Sequence, residues 1–173
     1  MKHSYKDDFG RVELEPLEEE NIESLRVLRN RERKHFIHTD IIEPLDQRNW
    51  YERYLHKSGD IMFQAMLQQR FVGACALYGM SDGKAEFGRL VIDRESAGIK
   101  GLGFDTTACA CKIGFEQLKL SEIWLKVLSD NIAAVKTYEK CGFLLLEEAN
   151  GISHMHIRYN EFERKMNGWR SKY

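Results

Sequence analysis

Apolar residues recur along this chain at two different periods, and the switches between them mark out its elements. Val12-Glu13-Leu14 alternates as a short strand and breaks at Pro16. Over 18–29, Ile22, Leu25 and Leu28 fall at helical spacing. Acids open that stretch and Arg26 and Arg29 close it, as a helix dipole prefers. A polar loop containing His35 and His38 runs from Asn30 to about Glu43. A second helix over roughly 46–57 directs Trp50, Tyr54 and the neighbouring Leu55 to one face.

Strand-like runs follow at 60–67, 70–78 and 84–93. Gln68-Gln69 joins the first pair, and Met80-Ser81-Asp82-Gly83 the second, with Asp-Gly a strong hairpin signal. Such short connections predict three antiparallel strands. A glycine-rich loop at 98–103 opens a long helix to about 119. Strand 122–128, helix 131–140 ended by Gly142, and strands near 143–148 and 152–159 complete the order. Tyr159, Phe162, Met166 and Trp169 then recur at helical spacing, so a tail helix packs on the core or on a second subunit of a homodimer. The order predicts an α/β fold: a mixed, mostly antiparallel sheet with helices on both faces.

Composition narrows the function classes. The 173 residues hold only two prolines and no Gly/Ser-rich linker, which favours a single domain over 1–173. Basic and acidic residues number 26 and 27, for a net charge of -1, so no electrostatic case arises for nucleic acid or an anionic membrane as partner. The polar opening Met1-Lys2-His3-Ser4 does not read as a secretory signal, and no apolar run approaches the ~20 residues of a membrane span. Cys75, Cys109, Cys111 and Cys141 form no CxxC pair, so they read as reduced, mostly buried thiols of a cytoplasmic protein.

Two segments carry candidate chemistry. Gly98-Ile99-Lys100-Gly101-Leu102-Gly103-Phe104-Asp105 is a glycine-rich turn opening a helix, where exposed N–H groups at the positive helix end suit phosphate oxygens. A tight turn that simply needs glycines is the alternative. The segment is not a P-loop, since Gly-Lys-Ser/Thr is absent. It is not a dinucleotide fingerprint either, since Thr106 stands where a third glycine belongs and the preceding strands look antiparallel. The second segment is Asn131-Ile132-Ala133-Ala134-Val135-Lys136-Thr137-Tyr138-Glu139-Lys140-Cys141-Gly142-Phe143. Asn131 fits an N-cap and Gly142 a left-handed C-terminal cap, while Tyr138 lies two turns from Asn131 on the same face. On its own Tyr138 reads as a half-buried core tyrosine.

Together, and in this order after Ala85-Glu86-Phe87-Gly88, these segments resemble the GNAT superfamily of acetyl-CoA-dependent N-acetyltransferases. The resemblance spans nearly the whole chain, with its specific motifs between 85 and 143. Its ribosomal-protein and amino-sugar branches are the nearest. It implies a GNAT fold whose sheet splays between strands 84–93 and 122–128. It also implies that pantetheine runs beside the backbone of Leu90, Val91 and Ile92. The pyrophosphate would then sit on the N–H groups of Lys100, Gly101, Leu102, Gly103 and Phe104. Asn131 would help hold acetyl-CoA and Tyr138 would lie near its sulfur, with no metal. The amine would attack the thioester directly, after Glu86 removes its proton through a water. Gly98, Ile99 and Phe104 depart from the family's usual loop residues.

The resemblance leaves the acceptor open: a small amine, a nucleotide-linked amino sugar, or a peptide N-terminus. It implies that the acceptor wall lies between Asn30 and Trp50, where Arg31, Arg33, Lys34, His35 and His38 would suit a phosphate-bearing acceptor. A catalytically silent CoA-binding module is the competing class, and turnover separates the two. Three other features read as structure. Gly79-Met80-Ser81-Asp82-Gly83 matches a hydrolase elbow but bridges two strands. His154 and His156 share a strand face without a third ligand. Arg29-Asn30 reads as a helix end, with Asn30 in the left-handed region.

Overall fold

A computed structural model describes residues 2–171. The strands are β1 (Asp7–Phe9), β2 (Val12–Pro16), β3 (Asp60–Leu67), β4 (Arg70–Ser81), β5 (Lys84–Ile92), β6 (Glu122–Leu128), β7 (Leu144–Ala149) and β8 (Ile152–Arg158). They form one eight-stranded sheet in the order β1-β2-β3-β4-β5-β6-β8-β7. Neighbours are antiparallel except β5 and β6. The helices are α1 (Ile22–Arg31), α2 (Pro44–His56), α3 (Arg94–Ala97), α4 (Leu102–Lys112), α5 (Ile132–Cys141) and α6 (Tyr159–Arg170). A π turn over Ile113–Gln117 prolongs α4, so the predicted long helix is present but changes pitch.

The hairpins form where the turn residues tolerate a left-handed backbone. Gln68 and Gln69 have φ of 50° and 64°, and Asp82 and Gly83 have 50° and 74°. Ser81 therefore ends β4 in a hairpin rather than standing on a strand-to-helix elbow. Two short elements escape the sequence pattern, β1 and α3. Each spans too few residues to show a period.

Strand alternation feeds two cores on opposite faces of the sheet. Ile61, Phe63 and Ala65 of β3 face α4, α5 and α6, whereas Met62, Ala74 and Ala76 face α1 and α2. In α2 the inward stripe is Gln47, Tyr51 and Tyr54. Leu55, expected inside, is instead exposed, because it lies ~100° round the helix from Tyr54. The tail helix α6 buries Phe162 and Met166 in its own chain's core, and Trp169 packs edge-on against Phe9 and Phe104 at 5.5 and 5.0 Å. Tyr159, the fourth predicted member, is exposed. No described helix is long and apolar enough to cross a membrane.

Candidate active site

β5 and β6 run parallel and pair only from Lys84 to Glu86 against Glu122 to Trp124; beyond that the ladder opens. Glu122 holds the closed end. Its carboxylate meets Arg158 at 3.1 Å, Lys84 at 3.4 Å and His156 at 3.4 Å. Burial works against ionisation of Glu122, but these three partners outweigh it and hold the carboxyl below its usual range.

A β-bulge bends β5 at the opening. Ala76 faces Gly88 and Ala74 faces Val91, so Arg89 and Leu90 together oppose Cys75. Arg89 sits at φ 53°. Its guanidinium binds Asp60 with both prongs, at 2.8 and 3.1 Å, and lies 4.3 Å over the Tyr78 ring. A Cβ at Gly88 would stand 2.6 Å from the Tyr78 hydroxyl oxygen, so any side chain there would have to displace the Tyr78 ring. The bulge also shifts the strand's parity. Leu90, which strict alternation would place on the face of Glu86, packs with Phe87 on the opposite core, and Val91 moves to the α1/α2 side.

The gap between the diverging strands is a cavity of about 740 Å³, within the range of small-molecule sites. Seven of the sequence-predicted site residues line it: Glu86, Leu90, Val91, Ile92, Gly103, Asn131 and Tyr138. The loop's other members do not. Leu102 is buried in the core, Lys100 is exposed, and Phe104 packs between Phe9 and Trp169 with Lys140 over its ring at 4.3 Å. What the loop does expose is backbone. The first helical hydrogen bond of α4 runs from Asp105 N–H to Gly101 O, so among the described residues the N–H groups of Leu102, Gly103 and Phe104 have no partner.

The glycines of this loop serve left-handed turns. Gly98, at φ 63°, caps α3, and Gly101, at φ 88°, caps the start of α4. The departure at Gly98 from the family's usual residue therefore has a local cause. A cation missed in the sequence, Arg11, stands beside the loop. A Cβ on Gly101 would lie 2.9 Å from Arg11 Nη2, and Arg11 Nε also binds Asp105 at 2.9 Å. The residue comes from the β1–β2 hairpin, more than 80 positions away, and no local pattern flags it.

On the other wall α5 is capped as its sequence predicts. Asn131 Oδ1 accepts from Ala134 N–H at 3.3 Å, and Gly142, at φ 110°, receives the helix end. Tyr138 lies against Phe87 and Phe143, and burial pushes its phenol well above the ordinary value. Tyr78 is the cross-strand partner of Glu86. Burial, and then the neighbouring Glu86 carboxylate, raise its phenol as well.

The far end of the cavity belongs to α1, α2 and the loop between them. Asn30 is helical rather than left-handed. Its side chain accepts from Ile42 N–H at 2.8 Å and donates to Ile42 O at 2.9 Å, clipping the loop to α1. Of the loop cations, His35 and His38 line the cavity, whereas Arg31, Arg33 and Lys34 do not. Arg31 is taken up by Asp93 at 2.8 Å and Glu32 at 3.1 Å. Arg29 does line the cavity. Its guanidinium is stacked 3.1 Å over Phe36, and Nη1 is buried without a hydrogen-bond partner among the described residues. Its signal was its spacing: Arg29 stands four residues after buried Leu25, on the inward face of α1.

All four cysteines are buried, and burial raises the Cys109 thiol to about 12 and pushes those of Cys75 and Cys111 well above the usual thiol value. Among the described residues no three His, Cys, Asp or Glu side chains converge as a metal site would require.

Solved structures share this architecture. The spermidine N-acetyltransferase of Vibrio cholerae, in complex with CoA and spermine, is 24% identical with a TM-score of 0.77, over 88% of this chain and 98% of that one. FdhC, a nucleotide-linked sugar GNAT, is 14% identical with a TM-score of 0.84, over 97% and 98%. The Campylobacter jejuni N-acetyltransferase PseH, in complex with acetyl coenzyme A, is 19% identical with a TM-score of 0.70, over 86% and 99%. At these identities the likeness is one of fold. No curated protein matches the chain by sequence. The family model of the acetyltransferase (GNAT) domain matches residues 11–144, which contain the opened β5–β6 ladder, the α4 N-terminus and Tyr138. The chain therefore belongs to the GNAT acetyltransferases, enzymes that move an acetyl group from acetyl-CoA to an amine.

Proposed function

We propose that the opened β5–β6 ladder is where acetyl-CoA meets a primary amine, with residues 1–173 acting as one domain in the cytoplasm. The observation that carries this reading is the convergence of Glu86 and Tyr138 on one cavity beside unpaired strand edge and unpaired helix N–H groups. Beyond Glu86 the β6-facing edge of β5 has no strand partner among the described residues, so the backbone at Leu90, Val91 and Ile92 is free to pair with the pantetheine amides. The N–H groups of Leu102, Gly103 and Phe104, with Arg11 beside Gly101, form a donor set for the pyrophosphate. Lys100 and Gly101 complete the turn that aims them. Asn131 uses its oxygen as a cap, which leaves its amide N–H groups for the cofactor.

Chemically, the amine must be neutral to attack. Glu86 takes its proton, directly or through a water, and the amine nitrogen then bonds to the thioester carbonyl carbon as the carbon–sulfur bond breaks. The proton shed by the new amide nitrogen finally resides on the thiol. Because burial raises the Tyr138 phenol above the ~8.5 of a thiol, Tyr138 stays protonated and donates a hydrogen bond to the leaving sulfur. A homodimer is the assembly we favour. β7 is an edge strand and exposes Leu144, Leu145 and Leu146, a liability that a second copy would cover.

The direct test is thiol release from acetyl-CoA across a panel of amino sugars, amino acids, polyamines and short peptides. Release with at least one amine is expected. Cofactor binding without release from any amine would instead identify a catalytically silent module.

A further inference from the structure

An arginine that faces a cavity from inside the protein needs a partner, because a desolvated guanidinium is costly unless its N–H groups are bonded. Arg29 has no such partner. Its Nη1 is buried and unbonded among the described residues. Burial pulls its pKa down to about 10, and among the described residues it forms no ion pair. Glu32, which lines the same cavity, is engaged by Arg31 at 3.1 Å and faces His35 at 3.8 Å. One face of the guanidinium is covered by Phe36. Stacking of that kind leaves the in-plane edge, where the donors lie, free for a planar or tetrahedral oxyanion. Arg53 and Asp46, both from α2, line the same cavity, as does Glu86 of β5, and neither carboxylate forms an ion pair with Arg29 among the described residues.

We infer that Arg29 receives an oxyanion of the acceptor, so that the substrate is an amine that also carries a phosphate or a carboxylate. This rests on the reading of the cavity as the acetyl-transfer site, and it names that site's substrate class. Arg29 sits on α1, the acceptor side, while the backbone donors for acetyl-CoA lie across the cavity on β5 and α4. A polyamine would bring further positive charge to an unpaired guanidinium and be repelled. Arg29 therefore disfavours the substrate class named for the spermidine acetyltransferases whose fold this chain shares.

The test uses the full chain and matched acceptors: glucosamine 6-phosphate against glucosamine, a UDP-linked amino sugar against the free amino sugar, and an amino acid against its amide. Within at least one pair, kcat/KM should favour the anionic member by about tenfold to a hundredfold, the range of a charge-assisted hydrogen bond. The phosphate pairs and the amino-acid pair separate the two oxyanions. Arg29→Met should abolish that preference, bringing kcat/KM for each anionic member down to that of its uncharged counterpart, while KM for acetyl-CoA stays near native. The same variant, lacking the unpaired buried charge, should melt at or above the native temperature without ligand, whereas loss of a merely structural arginine would lower it. Thermal protection of the CoA-saturated protein by each member provides a readout independent of turnover. Turnover or protection that is equal within every pair, or highest for spermidine, overturns the inference and leaves the acetyl-transfer reading standing. Absence of thiol release from any amine overturns that reading instead, and the protection assay still decides whether Arg29 takes an oxyanion.

Discussion

Asp60 and Arg89 form a two-pronged ion pair across β4, with Oδ1 2.8 Å from Nη1 and Oδ2 3.1 Å from Nη2. Asp60 is almost wholly buried at the head of β3, and Arg89 is the left-handed residue of the bulge that opens β5. The pair therefore ties the bulge to the sheet's interior. Asp60→Ala should destabilise the protein by about 2–3 kcal/mol in chemical unfolding, as expected for charge-assisted bonds that are partly solvent-screened. It should also raise KM for acetyl-CoA. Native KM in a folded variant would show that the bulge keeps its shape without the clamp.

Cofactor binding is best probed at Gly103. Gly101 is left-handed, so any side chain there strains the turn, whereas a Cβ at Gly103 meets nothing within 4 Å. Acetyl-CoA at 100 times its dissociation constant should stabilise the native protein by about 2.7 kcal/mol. Gly103→Glu, which adds bulk and negative charge beside the free N–H groups, should remove most of that gain and leave the ligand-free melting temperature close to native.

Glu86→Gln keeps the shape of the side chain but cannot accept a proton. For a lysine-like amine of pKa ~10.4, only about one molecule in 2,500 is neutral at pH 7. The variant should thus lose most turnover at pH 7 and recover part of it at pH 9–10. A loss that is constant over that range would assign Glu86 to positioning, and no loss would remove it from the reaction.

Tyr138→Phe removes the phenolic proton and keeps the ring against Phe87 and Phe143. Turnover should fall by about 10²-fold, the lower end for a general acid, since a raised phenol donates a hydrogen bond more readily than a whole proton. Acetyl-CoA affinity should stay native; a parallel loss of affinity would mark Tyr138 as a packing residue.

Glu122 makes the closed end of the ladder acid-sensitive. Its carboxyl is held below the ordinary 4.5, so its stabilising effect is present above that value and is lost as pH falls through the lower folded value. Thermal melts of the native protein should weaken as pH drops below about 4.5. Glu122→Gln should be less stable at pH 7 and show a shallower loss in the acid range. Parallel curves would place the acid-sensitive group elsewhere.

Much of this architecture was legible in the sequence because its signals are local. Period-two and period-3.6 patterns, the Asp82-Gly83 turn, and the Asn131 and Gly142 caps act within a few residues of themselves, and the elements they predict are present. Glu86, Asn131 and Tyr138 could be named because the segments that hold them are local motifs, and it was the family resemblance of those motifs in order, not strand and helix geometry alone, that singled the residues out. What the tertiary structure decided depends on partners far along the chain. The opening of β5 from β6 and the two-against-one bulge at Arg89 and Leu90 are properties of strand pairing, and they moved Leu90 to the opposite face. Phe104 packs against Phe9 and Trp169, which arrive from far along the chain, and Leu102 joins the buried core, leaving the loop its backbone to offer. Arg11 reached Gly101 from a distant hairpin. Arg29, which closes an ordinary helix in sequence, faces the cavity with Nη1 buried and unbonded among the described residues. Burial without a partner is a sum over everything nearby in space, which no local pattern contains.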